Sequence, residues 1–326
     1  MKKIFVTLLM VLLAFSVFAQ AGTESAASSN FPNQTITVIC PYGAGGGTDL
    51  ILRALSDAAS KIAGVNIIVD DVTGGNGATG VIKMMNSKAD GYTVGSCSGE
   101  WISLVETGLA PAGFDYNNAE LIMHYNFDPS CYLVPADSPY QTIEDVIAAA
   151  KANPGEITLG VTAAGGAQHL TAILFQDMVD AEFNIIPYSE GASTTMAALL
   201  SGQVQVASVG PAECAAQVDA GQVRLIGVCS ENRLATRPDV PTLKECGIDL
   251  IYGSWRALAA PKGTPAEVVS YLEDLFLQAA NTEEFQAFCQ KNGFVIDILD
   301  KAGFEERFRA QEQVIKTVCE LYAASK

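Results

Sequence analysis

The chain has 326 residues and a mass of 34.3 kDa, enough for one large α/β domain or for two lobes that each bury a core. Hydrophobic residues make up 49% and charged residues 17%, which excludes a disordered chain. With 19 Lys and Arg against 36 Asp and Glu the formal charge is −17, and such a surface repels both nucleic-acid backbones and anionic lipid.

The first segment reads as a targeting signal. Lys2 and Lys3 precede an almost wholly apolar run from Ile4 to Phe18, and Ala19-Gln20-Ala21 offers the small residues that a signal peptidase needs. That run is shorter than the ~20 residues of a spanning helix, so no direct membrane insertion is expected. Cleavage near Ala19 or Ala21 would leave an exported, periplasmic protein, with residues 22–30 as a flexible leader. The cysteines at 40, 97, 131, 214, 229, 246, 289 and 319 form no C-x-x-C, and they are read as buried apolar residues with no bridge assigned. With only His124 and His169 to join them, no metal site is expected.

Along the mature chain, strand-like runs alternate with helical patterns. Thr35 to Cys40 is β-branched and short, Asp49 to Ile62 has helical apolar spacing, and Asn66 to Val69 and Thr93 to Gly95 are strands. The pattern returns in Ile157 to Val161, His169 to Val179, Ile185 to Pro187, Ala192 to Leu200, Val204 to Val209 and Arg224 to Cys229. Thr142 and Thr264 each precede a carboxylate by three residues, marking helix starts. Strand, glycine loop, helix and strand in succession predict a mainly parallel sheet flanked by helices. Breaks at Phe127-Asp128-Pro129 and Tyr252-Gly253 divide the chain into residues 31–128 with 254–326 as one lobe and 129–253 as the other, joined by two crossovers.

Two glycine-rich turns carry the chemistry. Tyr42-Gly43-Ala44-Gly45-Gly46-Gly47-Thr48-Asp49 joins a buried strand to a helix. Glycines there let the backbone approach a ligand, and the unpaired N–H groups and positive helix end favour a carboxylate or phosphate. Thr162, Ala163, Ala164, Gly165, Gly166, Ala167, Gln168 and His169 repeat the arrangement in the second half. One cradle in each lobe, facing across a cleft, suits a binding protein rather than an enzyme. The acidic surface does not forbid an anion, because fixed amide dipoles act within a few ångströms while surface charge is screened over about 8–10 Å.

Two further motifs admit enzymatic readings. Gly75-Asn76-Gly77-Ala78-Thr79-Gly80 fits G-x-G-x-x-G, with Glu100 downstream, but it is read as a tight strand-to-helix turn in preference to a nucleotide site, and no cofactor is expected. Gly95-Ser96-Cys97-Ser98-Gly99 is similar to a nucleophile elbow with Cys97 as nucleophile, the alternative reading being an exported cysteine-dependent hydrolase. Such a fold expects its histidine downstream of the acid, and the last half of the chain has no histidine.

The ordered motifs resemble the substrate-binding proteins of tripartite tricarboxylate transporters, the Bug family. They are Phe31-Pro32, Pro41-Tyr42 with the glycine run, Ala89-Asp90-Gly91-Tyr92-Thr93, Gln168-His169-Leu170, Pro187-Tyr188 with Gly191-Ala192, Leu200-Ser201-Gly202-Gln203-Val204, Arg237-Pro238-Asp239-Val240-Pro241-Thr242, Trp255 and Ala260-Pro261-Lys262-Gly263-Thr264-Pro265. The resemblance implies a two-lobed, type II-like periplasmic binding fold, a monomer that closes on a small carboxylate and delivers it to membrane permease subunits. It also implies that the two turns hold one carboxylate and that variable positions, among them Ser96, Ser98, Asn126, Tyr188, Glu190 and Pro211, meet the far end. Glu190 stands where the family often has a basic residue; facing inward, it would favour a ligand with an ammonium group.

Overall fold

The computed structural model describes residues 31–75, 77–188 and 191–324; the expected signal peptide and leader lie outside them, as does Glu190. Strand β1 (Ile36–Cys40) leads through the first glycine turn into α1 (Gly47–Ala63), followed by β2 (Ile67–Asp71), α2 (Ala78–Met85), β3 (Thr93–Cys97) and α3 (Glu100–Glu106). The long β4 (Ala119–Pro129) is separated by one residue from β5 (Cys131–Pro135). Then come α4 (Ile143–Ala152), β6 (Thr158–Thr162), α5 (Ala167–Val179), β7 (Asn184–Tyr188), α6 (Ala192–Leu200), β8 (Val206–Val209), α7 (Pro211–Asp219) and β9 (Val223–Val228). The chain returns in β10 (Gly253–Pro261) and ends in α8 (Ala266–Ala280), α9 (Glu283–Asn292), β11 (Ile296–Leu299) and α10 (Lys301–Ala324).

Two sheets organise these elements. The first has the order β11-β4-β10-β3-β1-β2 and the second β7-β6-β8-β5-β9. Strand β1 runs parallel to β2 and β3, and β6 runs parallel to β7 and β8. The α/β two-lobed fold is present, but its sheets are mixed rather than mainly parallel. Strands that enter or leave through a crossover run against their neighbours: β10 pairs antiparallel with β3 and β4, and β5 with β8 and β9.

Apolar spacing explains how α1 is held. Ile51, Leu52, Leu55, Ala58 and Ala59 form one buried stripe, packed with Leu272, Phe276 and Ala279 of α8 over the face of β1. Each such aliphatic side chain contributes about 1.5–3 kcal/mol by leaving water. The asparagine-free start of α4 is fixed differently, by a reciprocal cap in which Asp145 N–H donates to Thr142 Oγ1 and Thr142 N–H to Asp145 Oδ2. Helix α10 crosses between lobes, packing on α3 and β4 of the first sheet and on α5 of the second.

The crossovers are in backbone contact. Ser130 N–H donates to Tyr252 O at 3.0 Å, and Cys229 N–H donates to Ser130 O at 2.9 Å. A Cβ on Gly253 would stand 2.2 Å from Asp128 O and 2.6 Å from Pro129 Cα. Only glycine fits there. Two strands away from Cys97, His124 is wholly buried, its Nδ1–H donating to Asp297 O at 2.7 Å and its Nε2 without a partner. Burial lowers its pKa from 6.5 to about 4, against the opposing pull of the Asp297 carboxylate.

Two outcomes follow. Gly253→Ala places a methyl group against immovable backbone and should cost roughly 1–3 kcal/mol, read as a lower urea midpoint at unchanged slope. Because the unfolded chain protonates His124 more readily than the folded chain does, stability present above pH 6.5 drains away as pH falls toward about 4. Comparing urea midpoints of the wild type and His124→Gln across that range should isolate a His124 share of roughly 2–4 kcal/mol, which the variant lacks.

Candidate functional site

The two glycine turns have the same build. Gly45 and Gly165 both sit at φ +78°, in the left-handed region that glycine alone enters freely. The next residues, Gly46 and Gly166, are extended helix caps, with φ/ψ of −73°/162° and −76°/170°. Gly46 N–H closes a turn on Gly43 O at 3.2 Å, and Gly166 N–H on Ala163 O at 2.9 Å. A side chain four residues ahead then locks each turn. Gly45 N–H donates to Asp49 Oδ2 at 2.7 Å, and Gly165 N–H donates to His169 Nδ1 at 2.9 Å.

This arrangement divides the amides. Those of Gly45, Gly46, Gly165 and Gly166 are spent inside the protein. The first intrahelical bonds begin at Leu50 and Leu170, which donate to Gly46 O and Gly166 O. The amides of Gly47, Thr48 and Asp49 in α1, and of Ala167 and Gln168 in α5, precede those first intrahelical donors. Four of the glycine amides in the two runs thus close the turns themselves.

Asp49, 2% exposed, also pairs with Arg53 Nε at 2.6 Å, and Arg53 Nη2 reaches Asp71 at 2.7 Å. Ligand atoms of Cys40, Asp49 and Asp71 lie within 4.8 Å of one another. Arg53 pairs with both carboxylates, and burial pushes the Cys40 thiol up to about 12.

A second cation lies closer to the cleft. Arg256 on β10 faces Asn126 across the β4 ladder. Its Nη1 donates to Asn126 Oδ1 and, at 2.5 Å, to Asp128 Oδ2; its Nε donates to Thr48 Oγ1 at 2.9 Å. Asp128 Oδ1 in turn accepts from Asn126 Nδ2 at 3.0 Å and from Val295 N–H at 3.2 Å. Burial works against the Arg256 charge, but Asp128 outweighs it and holds the guanidinium pKa above its ordinary value. The β10–β4 register brings it to Thr48.

The remaining residues divide by the face they occupy. Tyr42 Oη and Ser98 Oγ lie 3.4 Å apart at the ends of β1 and β3, and burial followed by nearby Glu100 keeps the phenol protonated. Thr162 Oγ1 donates to Gln168 Oε1 at 2.8 Å, and Gln168 Nε2 reaches Ser254 Oγ across the lobes at 3.4 Å. Near them Gly99 and Glu100 approach Gly165 and Ala167, leaving about 10 Å³ of open space. Ser96, two residues before Ser98, is buried, 3% exposed and 3.1 Å from Tyr125 Oη in the same core that Tyr42 packs against. Tyr188 closes over the position where a Cβ of Gly160 would be, at 3.4 Å, and Pro211 is buried at the start of α7. Glu190 lies outside the described residues. A groove of about 910 Å³ is lined by Phe127 and Pro129, the β4 residues that alternate with Asn126 and Asp128, and it touches neither turn.

The enzymatic readings find no support in the geometry. Cys97 is fully buried, its thiol pKa raised by that burial, and both histidines are engaged elsewhere, with Asp297 O and Gly165 N–H. The glycines of the second motif serve packing: a Cβ on Gly80 would meet Val72 O at 2.7 Å and Pro41 Cα at 2.8 Å.

Comparison with known proteins agrees with this geometry. Residues 51–317 match the model of the tripartite tricarboxylate transporter family receptor. A UPF0065 protein in the gbd 5' region of Cupriavidus necator is 37% identical over 269 residues, covering 82% of this chain and 80% of the relative. A TctC solute-binding protein from Polaromonas has a TM-score of 0.77 at 31% identity, over 89% of this chain and 99% of that one. An R. palustris protein solved with adipate shares the fold, with a TM-score of 0.80 at 22% identity over 89% of this chain and 98% of its own. The chain belongs to the tripartite tricarboxylate transporter receptor family, the solute-binding proteins that include the Bug receptors.

Proposed function

We propose that the protein is an exported receptor that closes two lobes on one small carboxylate and passes it to the permease subunits of a tripartite tricarboxylate transporter. The observation that carries this reading is the pair of matching turns, one at the rim of each sheet, that leave helix-start amides without an intrahelical partner while their glycine amides are locked inside. Fixed N–H dipoles at two helix starts attract an anion without reorganising, and exclusion of water strengthens each bond.

The ligand-binding set is Tyr42, the turn 43–49, Ser98 and the turn 162–169, with Tyr188, Glu190 and Pro211 toward the far end. Residues 31–128 and 254–326 form one lobe and 129–253 the other, so both crossovers act as the hinge. The receptor works in the periplasm as a monomer after cleavage near Ala19 or Ala21. Adipate in the R. palustris relative supports a carboxylate as the solute class.

A thermal-shift screen of di- and tricarboxylates, amino acids and aromatic acids should find one class that raises the melting temperature, by an amount that grows with concentration. Gly46→Val, which places a branched side chain 3.1 Å from Gly43 O, should abolish the shift, while Cys97→Ala keeps it. Ester turnover that vanishes in Cys97→Ala would instead establish the hydrolase.

A further inference from the structure

Two buried cysteines of the second lobe meet where β8 passes into α7. The antiparallel register places Cys131 of β5 directly opposite Val209, the last residue of β8. Gly210 caps α7, so Val209 is the residue before the cap and Cys214 the fourth of the helix. Residues at those two positions pack on each other at a helix start. Directly opposed side chains of an antiparallel pair stand about 4.5–5.5 Å apart on one face. Val209, Cys131 and Cys214 accordingly share one core cluster, the two cysteines 0% and 2% exposed. The thiols touch: a side-chain hydrogen bond with Cys214, and then burial, hold the Cys131 pKa well above its ordinary value. Each sulfur also has a backbone carbonyl within reach, Pro129 O at 3.6 Å from Cys131 and Pro211 O at 3.5 Å from Cys214.

Nearby cysteines have other surroundings. Cys229 follows Val228, the β9 residue opposite Cys131, and strand alternation sends it to the other face of the sheet, into a different core. Cys40 lies beside Asp71, and Cys246 beside Glu144. Cys131 and Cys214 are both thiols in this structure. They are reached from one side, because Cys214 borders a cavity of about 120 Å³ that Gln290, Lys291 and Gly293 of the first lobe close over.

We propose that Cys131 and Cys214 are an oxidisable pair that closes to a disulfide in an oxidising compartment. The step is thiol–disulfide exchange with a protein or small-molecule disulfide as oxidant. Cys214, reached through the cavity, loses its proton, attacks one sulfur of the oxidant and expels the other, which leaves a mixed disulfide. Cys131 then loses its proton and attacks the Cys214 sulfur, releasing the second half of the oxidant. One S–S bond forms in the protein and one breaks in the oxidant, which takes up the two electrons and the two protons as a pair of thiols. The bridge fastens the start of α7, with Pro211, to the crossover at Ser130. It closes a loop of about 80 residues and so removes freedom from the unfolded chain. Its occurrence in the cell rests on the export proposed above, since a cytoplasmic chain keeps both thiols reduced.

The test equilibrates the folded, fully reduced mature chain in an oxidising mixture of oxidised and reduced glutathione, alkylates it under denaturing conditions and maps its peptides. Two of the eight thiols should be lost, and the peptides that hold Cys131 and Cys214 should be joined. Reduction of the bridge should lower the melting temperature by about 5 °C or more. Cys131→Val and Cys214→Ala, each alone, should keep all their remaining thiols and melt at a temperature that reductant does not move. Eight alkylated thiols after equilibration of the wild type, or a bridge between any other pair, overturns the proposal. The full chain, made in a bacterium with an oxidising periplasm, should carry the same bridge in the periplasmic fraction. A chain that stays reduced in the cytoplasmic fraction, while the mature chain closes the pair in glutathione, overturns the export and leaves the pair standing.

Discussion

A backbone amide at the start of a helix has no partner within that helix, and the use made of those amides governs the rest of this structure. In both lobes a strand ends, two glycines turn the chain, and a side chain four residues on reaches back to fasten the turn: Asp49 to Gly45 in one, His169 to Gly165 in the other. The lock keeps the helix start pointing in one direction with no ligand present. A helix start fastened in this way needs no further ordering of its turn. The chemical difference between the two locks matters as well. Asp49 brings a charge that Arg53 must balance, whereas His169 makes its bond through a ring nitrogen and rests its ring edge on Tyr322, 5.1 Å away on α10.

Local signals made the turns legible and non-local pairing hid the cation. Glycine runs between a β-branched strand and an amphipathic stretch, and a threonine three residues ahead of a carboxylate, depend on neighbours in sequence. The α/β class, the alternation of elements and the start of α4 were readable for that reason. Arg256 was not. Its environment is set by antiparallel pairing of β10 with β4, which places it opposite Asn126, more than a hundred residues earlier in the chain. No local pattern reports such a register. Ser96 shows the same limit from the other side: Ser96 and Ser98, two residues apart, meet Tyr125 and Tyr42, which both pack into one core, and the small-residue run alone does not say that both serines are buried. The mixed character of the sheets also escaped a local reading, because a run of apolar residues looks alike whether its partner is parallel or antiparallel.

The acidic composition and an anion site coexist because they act over different distances. Most carboxylates sit at the surface, several in exposed pairs such as Lys61 with Glu284 and Lys83 with Asp70, which contribute little and are screened by salt. The cleft is governed by groups within hydrogen-bond reach. The buried ion pair of Arg256 with Asp128 is costly to desolvate, and the cost is offset by hydrogen bonds to Asn126, Thr48 and Val295.

That network also joins the site to the crossovers. Asp128 lies two residues before Ser130, where the chain passes between the sheets, and Gly253, opposite Pro129 in the ladder, is three residues before Arg256. The same short stretch of β4 faces two ways: Asn126 and Asp128 hold Arg256 beside α1, while Phe127 and Pro129 line the groove on the other side. The backbone bonds of Ser130 to Tyr252 and of Cys229 to Ser130 hold the two passing strands side by side at this point. Helix α10, spanning from β4 to α5, adds a second tie between lobes at the level of His169. The crossovers, Arg256 and both turns are thus linked through neighbouring hydrogen bonds and packed rings, which ties the helix starts to the strands that pass between the two sheets.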